Sequence, residues 1–276
     1  MGRILAAHRE AKTLEVIDLK TGRPLKAIEV GHAQGVAVDS KNNKYFFGNE
    51  SENSVVVVDS KTLLKIAEVK VDGPVDAIAF DEKNGMLYAA EDDGDHLWVI
   101  DTEKAKLVGV VSIPGVPEVL SFDPETDKIY LNIKNKNTLV RIDPSTNKVD
   151  AVWPTLPATS PHGLAIDKKR GRVYSAGGNG KLVAIDLKTG KVISAVDILP
   201  GVDQIAYDTE KENIYGACKG FISITKVTDD GLQEVGRIGT PKGAHTLAVD
   251  PASHDVWVSF ADNLHSYVQK FKFEGH

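Results

Sequence analysis

The chain has little cysteine and no long apolar run, and each shortage removes a class of protein. Cys218 is the only cysteine in 276 residues, so no disulfide can form within the chain. It follows the apolar segment 214–217, which favours a small buried residue over a nucleophile. No run of about 18 apolar residues is present, so no membrane-spanning helix is expected.

A basic surface and the common catalytic signatures are also missing. The formal net charge of -6 argues against non-specific binding of nucleic acid, which needs clustered positive charge. The sequence contains no phosphate-binding loop, Gly-x-Ser-x-Gly elbow, His-Glu-x-x-His or Cys-x-x-Cys. Helical periodicity is absent throughout, which predicts an all-β fold.

One short apolar stretch that ends in aspartate occurs six times. The closing residues are Asp39, Asp81, Asp123, Asp167, Asp208 and Asp250, spaced 42, 42, 44, 41 and 42 residues apart. A constant period of this size is typical of a repeat architecture. The repeat continues without a change in composition, so we predict a single domain over residues 1–276.

Each repeat contains four strand signals. The aspartate-terminated stretch is followed by an apolar strand with an aromatic residue (87–90), a strand that again ends in aspartate (99–101) and a more polar strand (66–71 in the preceding repeat). Polar alternation is typical of a sheet edge. We interpret the four as buried, buried, half-buried and exposed, from the inside outwards. Four strands per repeat predict the antiparallel blade of a β-propeller.

The number of blades follows from counting the strands. Second and third strands each occur seven times, but first and fourth strands occur six times. This count favours seven blades, with the chain starting at a second strand and ending after a third. The alternative is six blades, in which 246–249 completes the N-terminal blade and 255–273 forms an added hairpin.

Three segments together resemble a known repeat family. Gly35-Val36-Ala37-Val38-Asp39, Leu87-Tyr88-Ala89-Ala90 and the pattern Val-Ile-Asp-x-x-Thr-Gly at 16–22 are similar to the YVTN repeat of YncE-like and surface-layer-type propellers. The resemblance implies a propeller without an assigned activity, in the periplasm or outside the cell as a mature chain. A cytoplasmic location stays open. Segments 222–226 and 267–271 lack the closing aspartate, which predicts irregular outer turns.

The residue five positions before each closing aspartate of the repeated stretch (Asp39 and its equivalents) begins the first strand of its repeat. It is polar in all six repeats. We call these six the start column: Gln34, Asp76, Glu118, His162, Asp203 and His245. In a propeller this position lies at one end of the channel, which we call the mouth, where loops on a rigid scaffold meet.

Five start-column residues are potential metal ligands: Asp76, Glu118, His162, Asp203 and His245. Carboxylates that converge repel one another, and a divalent cation relieves that repulsion. Mixed imidazole and carboxylate ligands suit zinc, manganese or iron. The same residues could equally be solvated or bonded to neighbouring loops, and both interpretations stay open.

Further candidates flank the start column. The predicted ligand-binding residues are Gln34 of the start column and, in addition to it, His32, Asn49 and Glu91. The acidic loop 91–96 is a candidate calcium site, although its spacing differs from an EF-hand and a solvated turn explains it as well. The proline-rich loop 153–161 either covers the mouth with Trp153 and Leu156 or packs on its own blade.

Three functions are compatible with this sequence. The first is a non-enzymatic, monomeric protein that binds a metal, a small molecule or a protein at the mouth. The second is a metal-dependent hydrolase or lactonase, in which Glu118 or Asp203 ligates the metal and a histidine acts as the base. The third is a surface protein in which the propeller is only a scaffold.

Overall fold

The computed structural model describes residues 2–261 and 266–272 and is all-β. It is a seven-bladed propeller with mostly four antiparallel strands in each blade. In the described ranges the only helical element is a single 3₁₀ turn, Lys134–Lys136, between two strands. No helix among these residues is long and apolar enough to cross a membrane.

The chain separates into two compact units, residues 1–129 with 142–149 and residues 130–141 with 150–276, and the division falls inside the fourth sheet. The first three sheets lie in the first unit. Their strands are β1 (Arg3–His8), β2 (Thr13–Asp18) and β3 (Pro24–Glu29); β4 (Ala33–Asp39), β5 (Lys44–Asn49), β6 (Ser54–Asp59) and β7 (Leu64–Lys70); β8 (Val75–Asp81), β9 (Met86–Glu91), β10 (His96–Asp101) and β11 (Lys106–Ser112).

The remaining sheets continue the same pattern. The fourth contains β12 (Pro117–Asp123), β13 (Lys128–Ile133), β14 (Thr138–Asp143) and β15 (Lys148–Pro154). The last three lie in the second unit. They contain β16 (Pro161–Asp167), β17 (Arg172–Gly177), β18 (Lys181–Asp186) and β19 (Val192–Asp197); β20 (Val202–Asp208), β21 (Asn213–Cys218), β22 (Phe221–Val227) and β23 (Leu232–Gly239); β24 (Thr246–Val249), β25 (Val256–Ala261) and β26 (Ser266–Phe271).

The strand order confirms seven blades. Over residues 2–261 and 266–272 the first sheet has no inner strand and the seventh has no outer strand, as the repeat count predicts. β24 pairs with β25 in the register Thr246↔Ser259 to Val249↔Val256. The alternative with six blades is therefore wrong, because 246–249 belongs to the same sheet as the segment that was assigned to an added hairpin.

The core lies between consecutive sheets. Because strand side chains alternate, Val55 and Val57 of β6 pack towards the third sheet with Trp98, whereas Val56 and Val58 pack towards the first. Tyr174 and Leu182 likewise pack with Ile205 and Ile214 of the next sheet in the second unit. The second and sixth sheets thus bury apolar area on both of their faces, which stabilises them.

The predicted order of burial is wrong for two of the four strands. Third strands such as β10 are almost entirely buried, whereas first strands such as β8 are only partly buried. A first strand has a hydrogen-bonded neighbour on one side only, so it is covered less than the second and third strands. The fourth strands are the most exposed, as predicted.

The closing aspartates form the turns that the sequence predicts. Asp81 is fully buried, and its Oδ1 accepts hydrogen bonds from the backbone nitrogens of Lys83 (2.9 Å) and Asn84 (3.2 Å). Gly85 follows with a φ of +67°, where a side chain would be strained. The sixth blade lacks the aspartate, and Thr228 and Gly231 close its outer hairpin instead.

Candidate functional site

A β-bulge lies at the start column in four inner strands, β4, β8, β16 and β20, whereas the shorter β24 pairs with β25 without a shift in register. In β16, Pro161 pairs with Gly177 and Leu164 pairs with Ser175, so two residues oppose one. The same shift occurs in β4, β8 and β20. The bulged residues include Gln34, Asp76, His162 and Asp203. A bulge interrupts the strand alternation and re-aims a side chain, so these four residues are set apart from the regular scaffold.

Consecutive inner strands approach closely at these bulges. A Cβ built on Gly35 would lie 2.6 Å from the carbonyl oxygen of Asp76. A Cβ built on Gly163 would lie 2.8 Å from the backbone nitrogen of Ile205. Only glycine permits such backbone proximity. Start-column residues therefore lie on neighbouring strands within each unit, Gln34 beside Asp76 and His162 beside Asp203.

A buried amide holds one bulge in place. Asn132 is fully buried, and its Nδ2 donates to the carbonyl oxygens of His162 (2.9 Å) and Gly163 (3.0 Å). Its Oδ1 accepts a hydrogen bond from the buried Ser175 hydroxyl at 2.8 Å. Sequence reasoning did not identify Asn132. The available signal was a polar residue inside the apolar strand Ile129 to Ile133.

The two start-column histidines share one geometry. His162 Nδ1 lies 2.6 Å from the carbonyl oxygen of Ser160, and His245 Nδ1 lies 2.5 Å from that of Gly243. A carbonyl oxygen only accepts, so Nδ1 carries the proton in both rings and Nε2 is the nitrogen suited to accept a proton or bind a metal. His245 is exposed and directly precedes β24 rather than lying in the strand.

In the first unit, Gln34 belongs to a charged network. Gln34 Nε2 donates to Glu50 Oε2 at 3.0 Å, and Arg9 donates to both Glu50 oxygens at 2.7 Å. The Arg9 guanidinium lowers the pKa of Glu50, which keeps the carboxylate ionised. Glu50 and Arg9 were not predicted, because they come from loops 41 residues apart. Asp76 and Glu118 are the other start-column residues of this unit and are partly buried.

Two predicted ligand-binding residues lie beside this network. His32 donates its backbone N–H to the Ser51 hydroxyl at 3.4 Å, and its carbonyl oxygen accepts from the Glu50 backbone nitrogen at 3.0 Å. Asn49 is buried, and its Oδ1 accepts a hydrogen bond from the Ser51 hydroxyl at 3.1 Å. Both residues are thus tied to the loop that carries Glu50.

Glu91 lies in a compact group with two residues of the acidic loop. His96 Nδ1 lies 3.0 Å from Glu91 Oε2 and 2.7 Å from Asp95 Oδ1. The hydrogen bond to Glu91 raises the pKa of His96, which favours the imidazolium and an internal ion pair. Ligand atoms of these three residues lie within 4.8 Å of one another, and they form the only such group of three in the part of the chain that the structure describes. The start-column residues form no group this tight.

The proline-rich loop splits into two parts. Trp153 belongs to β15, and its ring lies 6.0 Å from that of Tyr130, with the Arg141 guanidinium 5.5 Å from its centroid. It also packs against the turn at Gly190. This position favours packing on the sheets over covering the mouth. Leu156 is exposed.

These features define a repeat protein with a seven-bladed propeller fold. Residues 69–218, more than half of the chain, match the family described as "Repeat of unknown function (DUF6923)". The chain belongs to this family. A search of curated protein sequences finds no significant match.

Solved structures show the same fold at low sequence identity. Hydrazine synthase of Kuenenia stuttgartiensis is similar with a TM-score of 0.85 and 15% identity over 98% of this chain and 92% of that one. A functionally unknown protein from Desulfotomaculum acetoxidans DSM 771 has a TM-score of 0.84 and 12% identity over 100% and 93%. The RRP9 WD40 repeats have a TM-score of 0.81 and 11% identity over 94% and 84%. At this identity the likeness concerns the fold alone.

Proposed function

We propose that this protein is a non-enzymatic binding protein and that its ligand is held by the bulged starts of the inner strands. The observation that carries the proposal is the bulge at Gln34, Asp76, His162 and Asp203. A regular strand would alternate these side chains with its neighbours. A bulge repeated at the same polar position supports a surface built to present them.

The residues favour different ligand groups in the two units. In the first unit, Asp76 and Glu118 favour a positively charged group. In the second unit, His162 and Asp203 lie at the second positions of β16 and β20, and His245 directly precedes β24. The three residues combine imidazole with carboxylate. Hydrogen-bonding groups of this kind, held on rigid strands, suit a polar small molecule or an extended segment of a partner protein.

A divalent cation is the second candidate ligand. The shared Nδ1 contact of His162 and His245 favours it, since metal-binding histidines commonly donate their other ring nitrogen to a carbonyl oxygen. Zinc, manganese or iron suits the imidazole and carboxylate set, with Asp76 and Glu118 as the corresponding candidates in the first unit. Calcium suits the oxygens of Glu91 and Asp95.

Two further parts of the proposal depend on that cation and on the sequence resemblance. A bound metal with an open coordination position would supply the Lewis acid that a hydrolase or lactonase needs. Ligand binding without such a metal would fit the non-enzymatic role that we propose. The resemblance to YVTN propellers supports a place in the periplasm or outside the cell.

The test combines elemental analysis with thermal unfolding. Protein purified without chelator or nickel resin is compared with the His162→Ala/His245→Ala double variant, and Lys188→Ala, at an exposed turn, is the control. Near-stoichiometric metal that only the double variant loses would establish the cation as the ligand. The cation would be excluded if the purified protein contained no metal and its Tm did not change when zinc, manganese or calcium was added.

The binding role itself is tested with immobilised protein and a library of small polar molecules and extended peptides. We expect ligands whose binding the double variant weakens and Lys188→Ala does not. Ligands that bind both variants equally would show that the start column is not the binding surface.

A further inference from the structure

A polar cavity lies between the first and second sheets, and no start-column residue lines it. Its volume is about 290 Å³, and it opens between the end of β3 and the outer strand β7. It is lined by Glu29, Gly31, Asn49, Glu52 and Lys70, among others. All of these residues belong to the first compact unit. The volume suits a molecule smaller than a typical drug.

The floor of this cavity presents an unused hydrogen-bond donor. Asn49 is only 3% exposed, and its Oδ1 accepts from Ser51. Within the described residues no acceptor lies within hydrogen-bond distance of Asn49 Nδ2. Gly31 makes room for this amide, because its φ is +82° and a Cβ there would lie 2.3 Å from Asn49 Nδ2. A donor without a protein acceptor, on a side chain that is otherwise buried and lines a cavity, indicates a place for a ligand oxygen or for water.

One wall of the cavity is fixed by internal ion pairs. Glu68 Oε1 accepts from Lys70 Nζ at 2.8 Å and from the buried Ser54 hydroxyl at 2.8 Å, and Lys65 bonds the other oxygen. These hydrogen bonds lower the pKa of Glu68 to about 2, and the bond from Lys65 has the largest effect. Glu68 is therefore ionised and already satisfied. Lys65 and Lys70 both line the cavity, and Lys70 Nζ also donates to the carbonyl oxygen of Glu52 at 3.1 Å, so both ammonium groups already have protein partners.

The cavity lining also includes a carboxylate without a partner among the described residues. Glu29 ends β3 and is exposed, and its carboxylate has no ion pair or hydrogen bond with any residue that the structure describes. Glu52 adds a second carboxylate, 3.5 Å from Lys70 Nζ. The cavity lining thus combines a donor amide, that of Asn49, with a carboxylate, that of Glu29, that has no partner among the described residues.

We propose that this cavity binds a small zwitterion of the size of a free α-amino acid. Its carboxylate would accept from Asn49 Nδ2 and lie near Lys70, and its ammonium would pair with Glu29. Both ends would then be satisfied by charge-assisted hydrogen bonds. The proposal does not depend on the start column, whose residues lie outside the cavity lining.

The test follows the side-chain NH₂ signals of Asn49 by NMR, assigned with Asn49→Asp. Glycine, L-alanine and L-glutamine are titrated as zwitterions, with acetate as an anion alone and methylamine as a cation alone. We expect saturable shifts with at least one amino acid and smaller, non-saturating shifts with the two half-probes. Signals that no probe moves would show a cavity that holds water only and would overturn the proposal.

Matched variants keep the test independent of folding. Glu29→Gln removes an exposed charge without disturbing the core and should weaken amino-acid binding about tenfold, the effect of losing a charged hydrogen bond. Glu82→Gln, at an exposed turn outside the cavity, should leave the affinity unchanged. Equal affinities for these two variants, or shifts with acetate or methylamine alone as large as those with the amino acids, would overturn the proposal.

Discussion

Asn132 Nδ2 lies 2.9 Å from the carbonyl oxygen of His162, so a fully buried amide fixes the backbone that carries a start-column histidine. The two residues are 30 positions apart and belong to adjacent sheets. The bulge at His162 therefore depends on a partner from the neighbouring blade. Removing that partner should affect both the stability of the second unit and the position of the histidine.

Replacing Asn132 should be costly for this reason. Asn132→Ala removes the donor of two hydrogen bonds, those to the carbonyl oxygens of His162 and Gly163, and opens a small void. We expect the free energy of unfolding to fall by about 3 kcal/mol. Ser175→Ala removes only the hydroxyl that bonds Asn132 Oδ1 and should cost about 1 kcal/mol. Urea unfolding of both variants measures the difference, and a smaller loss for Asn132→Ala than for Ser175→Ala would contradict this role.

The close approach of inner strands predicts a strong effect of one methyl group. In Gly163→Ala the new Cβ would lie 2.8 Å from the Ile205 nitrogen, and backbone cannot move aside as a flexible side chain can. We expect a loss of about 1–3 kcal/mol from overpacking. Gly239→Ala is the matched control in the same unit, because no atom lies within 4 Å of its Cβ position. Chemical denaturation that shows equal stability for the two variants would mean that the inner strands separate easily.

The sequence was sufficient for the architecture because the repeat encodes it locally. Each closing aspartate lies next to the turn it stabilises, and the aromatic second strands are recognisable one at a time. The start column was likewise found by counting back from Asp39 and its equivalents. The bulges were not found in this way, because an extra residue in one strand can be recognised only when the residues it pairs with are known. Asn132 and the Arg9–Glu50 pair were missed because Asn132 is 30 residues from His162 and Arg9 is 41 residues from Glu50.

Ion-paired carboxylates predict how stability responds to acid. Lys65 is the main cause of the low pKa of Glu68, about 2 against an ordinary 4.5. Lys128 similarly lowers the pKa of Asp143 from 3.8 to about 2. A pKa depressed in the folded state stabilises the protein above the unfolded value, and that stability is lost as pH falls towards the folded value. The free energy of unfolding should therefore decline between about pH 4.5 and pH 2.

A single variant isolates the contribution of Glu68. Glu68→Gln cannot titrate, so its stability should decline less steeply than that of the parent protein over the same pH range. Glu82→Gln changes an exposed turn residue and should keep the parent slope. Urea unfolding at a series of pH values measures each slope. A Glu68→Gln slope equal to that of the parent would show that the pairs with Lys65 and Lys70 do not stabilise the fold.

The lone cysteine should react only when the protein opens. Cys218 is 3% exposed, and burial raises the pKa of its thiol to about 11. At pH 8 few molecules carry the reactive thiolate, and reagents cannot reach it in the folded sheet. Labelling with a thiol reagent should therefore follow the unfolding rate and accelerate in urea. Cys218→Ala/Lys188→Cys provides an exposed thiol for comparison and should label at the rate of a free thiol. If Cys218 labelled equally fast in the folded protein, β21 would have to open readily, and a role for this thiol in binding would then need testing.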